Sequence, residues 1–214
     1  MLRNKIHFVN WQKRFLAKSD LCTPFQTYDK NSVVLLPITP FHYPFAFVLY
    51  KLCGKLSLPA LIVGSMLPDL EIPLMVLLFG TTVPTHLLLH SLIGSLTIGT
   101  LLATAITVFI YPRLTSAIFP IDKIKVKEKC RFSINLLFSC AIGCISHVLL
   151  DVTNHSYNPL FWPFLAPAET PSLIVPFLGG AAMASLLINA LMIVLVICFF
   201  ARKFLDSWEH VLVE

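Results

Sequence analysis

Residues 173–201 read LIVPFLGGAAMASLLINALMIVLVICFFA, and no charged side chain interrupts them. A helix needs about 20 consecutive apolar residues to cross the hydrocarbon core of a bilayer. The rest of the chain is similar in character, because 57% of its 214 residues are hydrophobic and 13% are charged. Roughly a quarter of the residues of an average soluble domain are charged. The sequence therefore predicts an all-α, polytopic membrane protein.

Three further segments reach spanning length and bring the predicted number of transmembrane helices to about four. Residues 86–111 and 131–153 are predominantly apolar runs, and residues 57–79 form a third that prolines interrupt. A shorter apolar segment, residues 41–53, precedes them and has too few residues to span alone. That segment predicts an interfacial or re-entrant helix at the N-terminal side of the spans.

The predicted domain organisation has three parts. Residues 1–40 form a basic, amphipathic N-terminal segment and a connector, of the kind that lies on an anionic membrane surface; a mobile basic tail is the alternative. Residues 41–205 form a single helical membrane domain, and residues 206–214 a C-terminal tail.

The distribution of Lys and Arg predicts the orientation. These residues cluster in the N-terminal segment, in loop 113–131 and at Arg202–Lys203, whereas the loops at 80–85 and 154–172 contain none. Cytoplasmic loops carry the positive excess, so both termini and loop 113–131 are predicted to be cytoplasmic in a multi-pass protein of the cytoplasmic (inner) membrane. Since the basic residues flank spans, they indicate a lipid bilayer as the partner and no nucleic acid.

Once the basic flanks are set aside, the charged or titratable residues that remain inside or beside the predicted spans are histidines and acids. Placing a charged residue at the centre of a transmembrane helix costs about 2.5–3.5 kcal/mol, so such residues usually face a polar interior and mark function. The set is His42, Asp69, Glu71, His86, His90, His147, Asp151 and His155.

Spacing and predicted topology both bring members of this set together. His86 and His90 are four residues apart, as are His147 and Asp151, and then Asp151 and His155. Four residues turn a helix by only about 40°, so each pair is predicted to project from one face. The first pair begins one span and the second ends another, near the outer face. Imidazole with carboxylate predicts a site for a divalent metal, with zinc favoured over similar divalent cations.

Four sequence blocks resemble the YdjM-like membrane-bound, metal-dependent hydrolases and a closely related uncharacterised membrane family. The blocks are TPFHYPFAF (39–47), LIVGSMLPDLE (61–71), THLLLHSLIG (85–94) and SHVLLDVTNHSYNPLFWPF (146–164). The resemblance covers residues 39–165 and implies a hydrolase distantly similar to zinc-dependent phospholipase C. The metal ligands it implies are His42, Asp69, His86 or His90, His147 and Asp151, with Glu71 and His155 as outer members.

The predicted function is metal-dependent hydrolysis of a phosphoester in an amphiphilic, lipid-like substrate. A bound divalent cation lowers the pKa of its water toward about 7 and polarises a phosphoryl oxygen. Glu71, when it is not a ligand, is predicted to act as the general base on that water. The alternative is a non-catalytic membrane subunit or scaffold whose His/Asp cluster ties the helices together. A proton or cation pathway ranks below both, because it needs polar groups through the whole bilayer and the inner halves of 86–111 and 131–153 contain no histidine or acid.

Gly179 and Gly180 lie within the last predicted span. Small residues allow close backbone approach between membrane helices. They predict a helix contact there, either internal or with an oligomer or membrane-complex partner.

Overall fold

The structure is a computed structural model that describes residues 42–79, 86–153, 155, 158–165, 170–203 and 208–213. These residues form helices joined by turns and loops, with no β-strand among them, which confirms the all-α prediction. The predicted N-terminal segment, 1–40, lies outside the described residues. The helices are α1 (His42–Leu52), α2 (Leu58–Met66), α3 (Glu71–Phe79), α4 (Leu92–Phe109), α5 (Tyr111–Ile118), α6 (Lys123–Lys129), α7 (Ile134–Val152), α8 (Ala181–Lys203) and α9 (Trp208–Leu212).

Four helical segments are long and apolar enough to cross a membrane, as the apolar runs predict. They are Leu58–Phe79, Leu92–Phe109, Ile134–Val152 and Ala181–Cys198. The first consists of α2, a short turn and α3. The helix α1 has 11 residues, fewer than the roughly 20 that a span needs.

The turn between α2 and α3 is a single 3-10 turn, Pro68–Leu70. Pro68 has no N–H to donate, and the helix tightens to this 3-10 turn there, but Leu67 keeps helical backbone geometry with φ −62° and ψ −42°. The helical segment Leu58–Phe79 thus continues through the prolines that the sequence predicts as interruptions. Pro73 lies in the first turn of α3, where its missing N–H removes no bond within the helix. Asp69 lies in this 3-10 turn, between α2 and α3.

The second span begins later than predicted, at Leu92 rather than at residue 86. Ser91 has extended backbone geometry, and its Oγ accepts a hydrogen bond from the N–H of Gly94 at 3.0 Å, which is an N-cap. Residues 86–91 form bends and turns instead of helix. His86 and His90 therefore do not share a helix face, and the helical spacing predicted for this pair is wrong.

The most extensive helix contact in the described chain joins α2 and α7. Gly64 and Gly143 lie in this contact: a Cβ added at Gly64 would lie 2.5 Å from the carbonyl oxygen of Cys140, and one added at Gly143 would lie 2.8 Å from that of Leu61. Small residues permit this close approach of two backbones. The contact brings Ser65 next to α7.

Substituting alanine for Gly143 is expected to lower the free energy of unfolding by about 1–3 kcal/mol, as overpacking does, because the added methyl group would meet rigid backbone atoms. Thermal unfolding of the full chain in detergent measures this. The matched control is Gly54→Ala, since an added Cβ there has nothing within 4 Å. An unchanged midpoint for Gly143→Ala would contradict the close crossing.

Residues 208–213, within the predicted C-terminal tail, pack against the helical domain. The hydroxyl group of Tyr43 donates to the carbonyl oxygen of Val211 at 2.6 Å, and that of Tyr111 donates to the carbonyl oxygen of Leu212 at 2.8 Å. Residues 208–213 thus belong to the same compact unit as the other described residues.

The two glycines predicted to lie inside the last span precede it. Gly179 has φ 86° and Gly180 has φ 98°, in the left-handed region that favours glycine, and α8 starts at Ala181. A Cβ added at Gly180 would have nothing within 4 Å. The glycines therefore form the turn that starts α8, rather than the close helix contact that the sequence predicts; a partner for this helix stays a prediction.

Candidate metal centre

Five buried or largely buried acids and imidazoles meet where α1 begins and α7 nears its end. His147 and Asp151 come from α7, His42 is the first residue of α1, Asp69 comes from the turn after α2, and His90 from the turn before α4. Their exposed fractions are low, at 0% for His147 and 5% for Asp151. We call these five residues the central cluster.

The two acids of the central cluster lie between its imidazoles. Oδ2 of Asp151 is 3.4 Å from Nε2 of His147 and 3.5 Å from Nε2 of His90. Oδ1 of Asp69 is 3.5 Å from Nε2 of His147, and its Oδ2 is 4.0 Å from Nε2 of His42. These separations exceed the 2.7–3.2 Å of an N–H···O hydrogen bond.

The opposite ring nitrogens make hydrogen bonds of ordinary length. Nδ1 of His147 donates to the carbonyl oxygen of Ser65 at 2.7 Å. Nδ1 of His90 donates to Oε2 of Glu71 at 2.9 Å, since an ionised carboxylate only accepts. In the neutral imidazoles both Nε2 atoms therefore carry lone pairs that face the cluster. Metal-ligating histidines are held in the same way, by a carbonyl or carboxylate on the second nitrogen.

Three of these imidazole nitrogens are unusual for buried polar atoms. Nε2 of His42, His90 and His147 is buried and has no hydrogen-bond partner within the part of the chain that the structure describes. Such an atom normally costs free energy and calls for an explanation. Two ligand atoms each about 2.1 Å from a tetrahedral zinc lie about 3.4 Å apart, which matches the observed separations of 3.4 and 3.5 Å. The donor set thus fits a divalent cation.

Three overlapping triads of ligand atoms lie close enough to share an ion, each with its atoms within 4.8 Å of one another. They are His42, His147 and Asp151; Asp69, His90 and His147; and His86, His90 and Asp151.

His86 and His155 lie at the edge of the central cluster and are partly exposed. The ring of His86 is 4.4 Å from that of His90 and 5.4 Å from that of His155, between centroids. The N–H of His155 donates to the carbonyl oxygen of Asp151 at 3.0 Å, after α7 has ended at Val152. All seven predicted ligands thus lie together, although helical spacing explains only the pair on α7.

The histidines outside the spans have pKa values that suit metal ligation. Burial, with the neighbouring His147 imidazole, lowers the pKa of His42 to about 3. Burial, with the neighbouring His90 imidazole, lowers the pKa of His86 to about 3. Burial also lowers the pKa of His155. These imidazoles are therefore neutral at pH 7, and the neutral form is the one that binds a metal.

Glu71, predicted as a general base, has both of its oxygens engaged. Oε1 accepts from the N–H of Leu88 at 2.6 Å, and Oε2 accepts from the N–H groups of Leu87 at 3.2 Å and Leu89 at 3.0 Å. Oε2 also accepts from Nδ1 of His90. The carboxylate thus orders the turn before α4 and orients one imidazole. These contacts favour a positioning role over the predicted role of general base.

Sequence analysis missed two features of the site: the contact of His147 with the Ser65 carbonyl oxygen and the non-helical turn at 86–91. The role of the Ser65 carbonyl oxygen could not be predicted from the sequence, because every residue has a backbone carbonyl group. The non-helical turn at 86–91 does have a signal in Ser91, since serine directly before an apolar helical run is typical of an N-cap. That signal would have placed the start of the span at Leu92.

Comparison with known families extends over most of the chain. Residues 36–211 match the model of a family described as "Domain of unknown function (DUF4184)", and this range includes every residue of the candidate metal centre. No curated protein and no solved structure matches the chain. The resemblance to YdjM-like hydrolases and to zinc-dependent phospholipase C stays a prediction from the sequence blocks.

Proposed function

Since the chain belongs to the DUF4184 family, whose description states no activity, we propose from the site that it is an integral membrane hydrolase that uses zinc to cleave a phosphoester in a lipid-like substrate. The observation that carries the proposal is the set of buried, unpartnered Nε2 atoms of His42, His90 and His147 facing two carboxylates. Imidazoles and acids tied by hydrogen bonds alone would lie near 2.9 Å from one another.

Exposed apolar side chains support placement in a membrane. Each of the four long helical segments leaves leucines uncovered, and one example from each is Leu77, Leu101, Leu149 and Leu186. Apolar surface on this scale marks contact with lipid or with another protein. The basic residues of the segment 113–131 support its placement in the cytoplasm.

The depth of the site supports an amphiphilic substrate. His147 follows Ile134 by 13 residues, which is about 20 Å of helix at 1.5 Å per residue. The hydrocarbon core is about 30 Å thick, so the central cluster would lie inside its outer half. A phosphoester carried by a lipid could enter at this depth.

The residues divide into those that would hold the metal and those that orient them. The ligands of the metal would come from the five members of the central cluster, while Ser65 and Glu71 fix the imidazoles of His147 and His90. When bound, the cation supplies a Lewis acid that lowers the pKa of a water toward about 7 and polarises a phosphoryl oxygen. Burial of the cluster excludes bulk water from the ligands.

Phospholipid turnover tests the proposal. The full chain in detergent is mixed with micelles of phosphatidylglycerol and phosphatidylethanolamine, and the release of water-soluble phosphate esters is measured. We expect release that a chelator abolishes and added zinc restores. The matched control is His210→Ala, since this histidine lies on α9, outside the candidate centre; this variant should keep the parent rate. Turnover of soluble peptides alone would remove the lipid assignment. Bound zinc without phosphoester turnover would favour the alternative, a structural cluster in a non-catalytic subunit.

A further inference from the structure

The candidate centre offers more ligands than one zinc ion uses. Zinc in proteins takes four ligands when the site is structural, and three protein ligands with one open position when it is catalytic. The residues grouped here are His42, Asp69, His86, His90, His147, Asp151 and His155. A single ion leaves at least three of these side chains without a role.

The imidazoles follow one another in a series of ring contacts. The centroid of His42 is 4.1 Å from that of His147, which is 5.3 Å from that of His90. His90 in turn is 4.4 Å from His86, and His86 is 5.4 Å from His155. Since a zinc-bound nitrogen lies about 2.0–2.1 Å from its ion, one ion cannot serve both ends of this series.

Asp151 lies at the middle of the series. The triad of His42, His147 and Asp151 and the triad of His86, His90 and Asp151 have no histidine in common, and they share this one carboxylate. Oδ2 of Asp151 faces one imidazole of each triad, at 3.4 Å from His147 and 3.5 Å from His90. A carboxylate so placed has the geometry to bridge two cations.

We propose that this protein binds two divalent cations, with the carboxylate of Asp151 shared between them. The proposal rests on the proposed metal binding and gives it a stoichiometry. The first ion is held by His42, His147 and Asp151, with Asp69 beside them at 3.5 Å from Nε2 of His147. The second is held by His86, His90 and Asp151.

The two positions differ in burial. Every residue of the first triad is buried, whereas His86 in the second is partly exposed, and so is the neighbouring His155. A chelator in solution therefore reaches the second position more easily than the first. The ion at the first, buried position would connect the start of α1 to the C-terminal part of α7. The second, more exposed position is the one open to an incoming substrate.

The number of zinc ions bound per chain tests the proposal without any assay of activity. The full chain is purified in detergent, loaded with zinc and freed of excess, and zinc per chain is determined by elemental analysis. We expect two equivalents, of which a short treatment with a chelator removes one. The His86→Ala variant is expected to bind one equivalent, and the His210→Ala control is expected to bind two. X-ray absorption at the zinc edge should show metal–metal scattering at about 3.5–4 Å, the spacing of two-metal sites.

The outcomes separate this inference from the proposed function. One equivalent in the parent protein overturns the second ion and leaves a single-metal hydrolase standing, whereas no bound zinc overturns both. Two equivalents without metal–metal scattering overturn the shared role of Asp151. Two equivalents retained in His86→Ala overturn the second ligand set. Both measurements on the parent protein remain decisive if this variant does not fold.

Discussion

The Asp151→Asn variant is expected to lose tight metal binding and keep its helical fold. Asparagine matches aspartate in size but is neutral, so the imidazoles of His90 and His147, which now face Oδ2, would lose the anionic ligand that lies between them. Free zinc at 100 times its dissociation constant stabilises a protein that binds it by about 2.7 kcal/mol. The parent should show a stabilisation of this size in thermal unfolding, and Asp151→Asn should show none at the same zinc concentration.

The matched control for this variant is Asp122→Asn. Asp122 is exposed and caps α6 by accepting a hydrogen bond from the N–H of Ile124 at 2.8 Å, so its substitution tests the loss of an aspartate charge elsewhere. It should keep the parent's zinc content. Full zinc content in Asp151→Asn would show that this carboxylate is not a ligand. That result would overturn the proposed ligand set and the sharing of the Asp151 carboxylate between two ions.

The Glu71→Gln variant is expected to bind metal about 10–100-fold more weakly, as is typical when a residue that orients a ligand is changed. Glu71 now accepts four hydrogen bonds, whereas glutamine has one carbonyl oxygen and an NH₂ group that would face these donors. The turn 86–91 would lose part of its support, and His90 its fixed orientation. Zinc titration against a competing chelator measures the affinity.

A second measurement separates positioning from general-base catalysis. Replacing zinc with cobalt(II) gives visible absorption bands that report ligand geometry, and these should change in Glu71→Gln because the partner of His90 changes. Glu128→Gln is the control, since Glu128 is exposed on α6. If Glu71→Gln keeps both the metal affinity and the cobalt spectrum of the parent and loses only turnover, Glu71 is the general base that the sequence predicts.

Several features of the fold follow from local sequence. The apolar runs predict four long helices because a helix satisfies every backbone polar group within its own segment, and Pro68 marks the 3-10 turn after α2 because it cannot donate an N–H. The histidines and acids of the candidate centre stand out because ionisable groups are costly among apolar residues. Each of these predictions depends on properties that a residue has within its own segment.

Other features depend on contacts between distant segments. Glu71 accepts hydrogen bonds from N–H groups of the turn 86–91; Ser91 signals where the helix begins, but no local pattern in the turn reveals this distant partner. The same contacts change the role expected of Glu71. The C-terminal residues dock because Tyr43 and Tyr111 donate to their carbonyl oxygens, and hydroxyl groups so far away in the chain give no local signal.

By itself, the sequence determined the all-helical class of the protein and the side chains available for its chemistry, since the apolar runs set which segments form the long helices. The tertiary structure alone decided how those side chains face one another. The contact of Gly64 with Gly143 brings α2 against α7. The carbonyl oxygen of Ser65 then orients the imidazole of His147, and Glu71 orients that of His90. Ligand geometry is a relation between separate segments, and it comes into existence only when the helices pack.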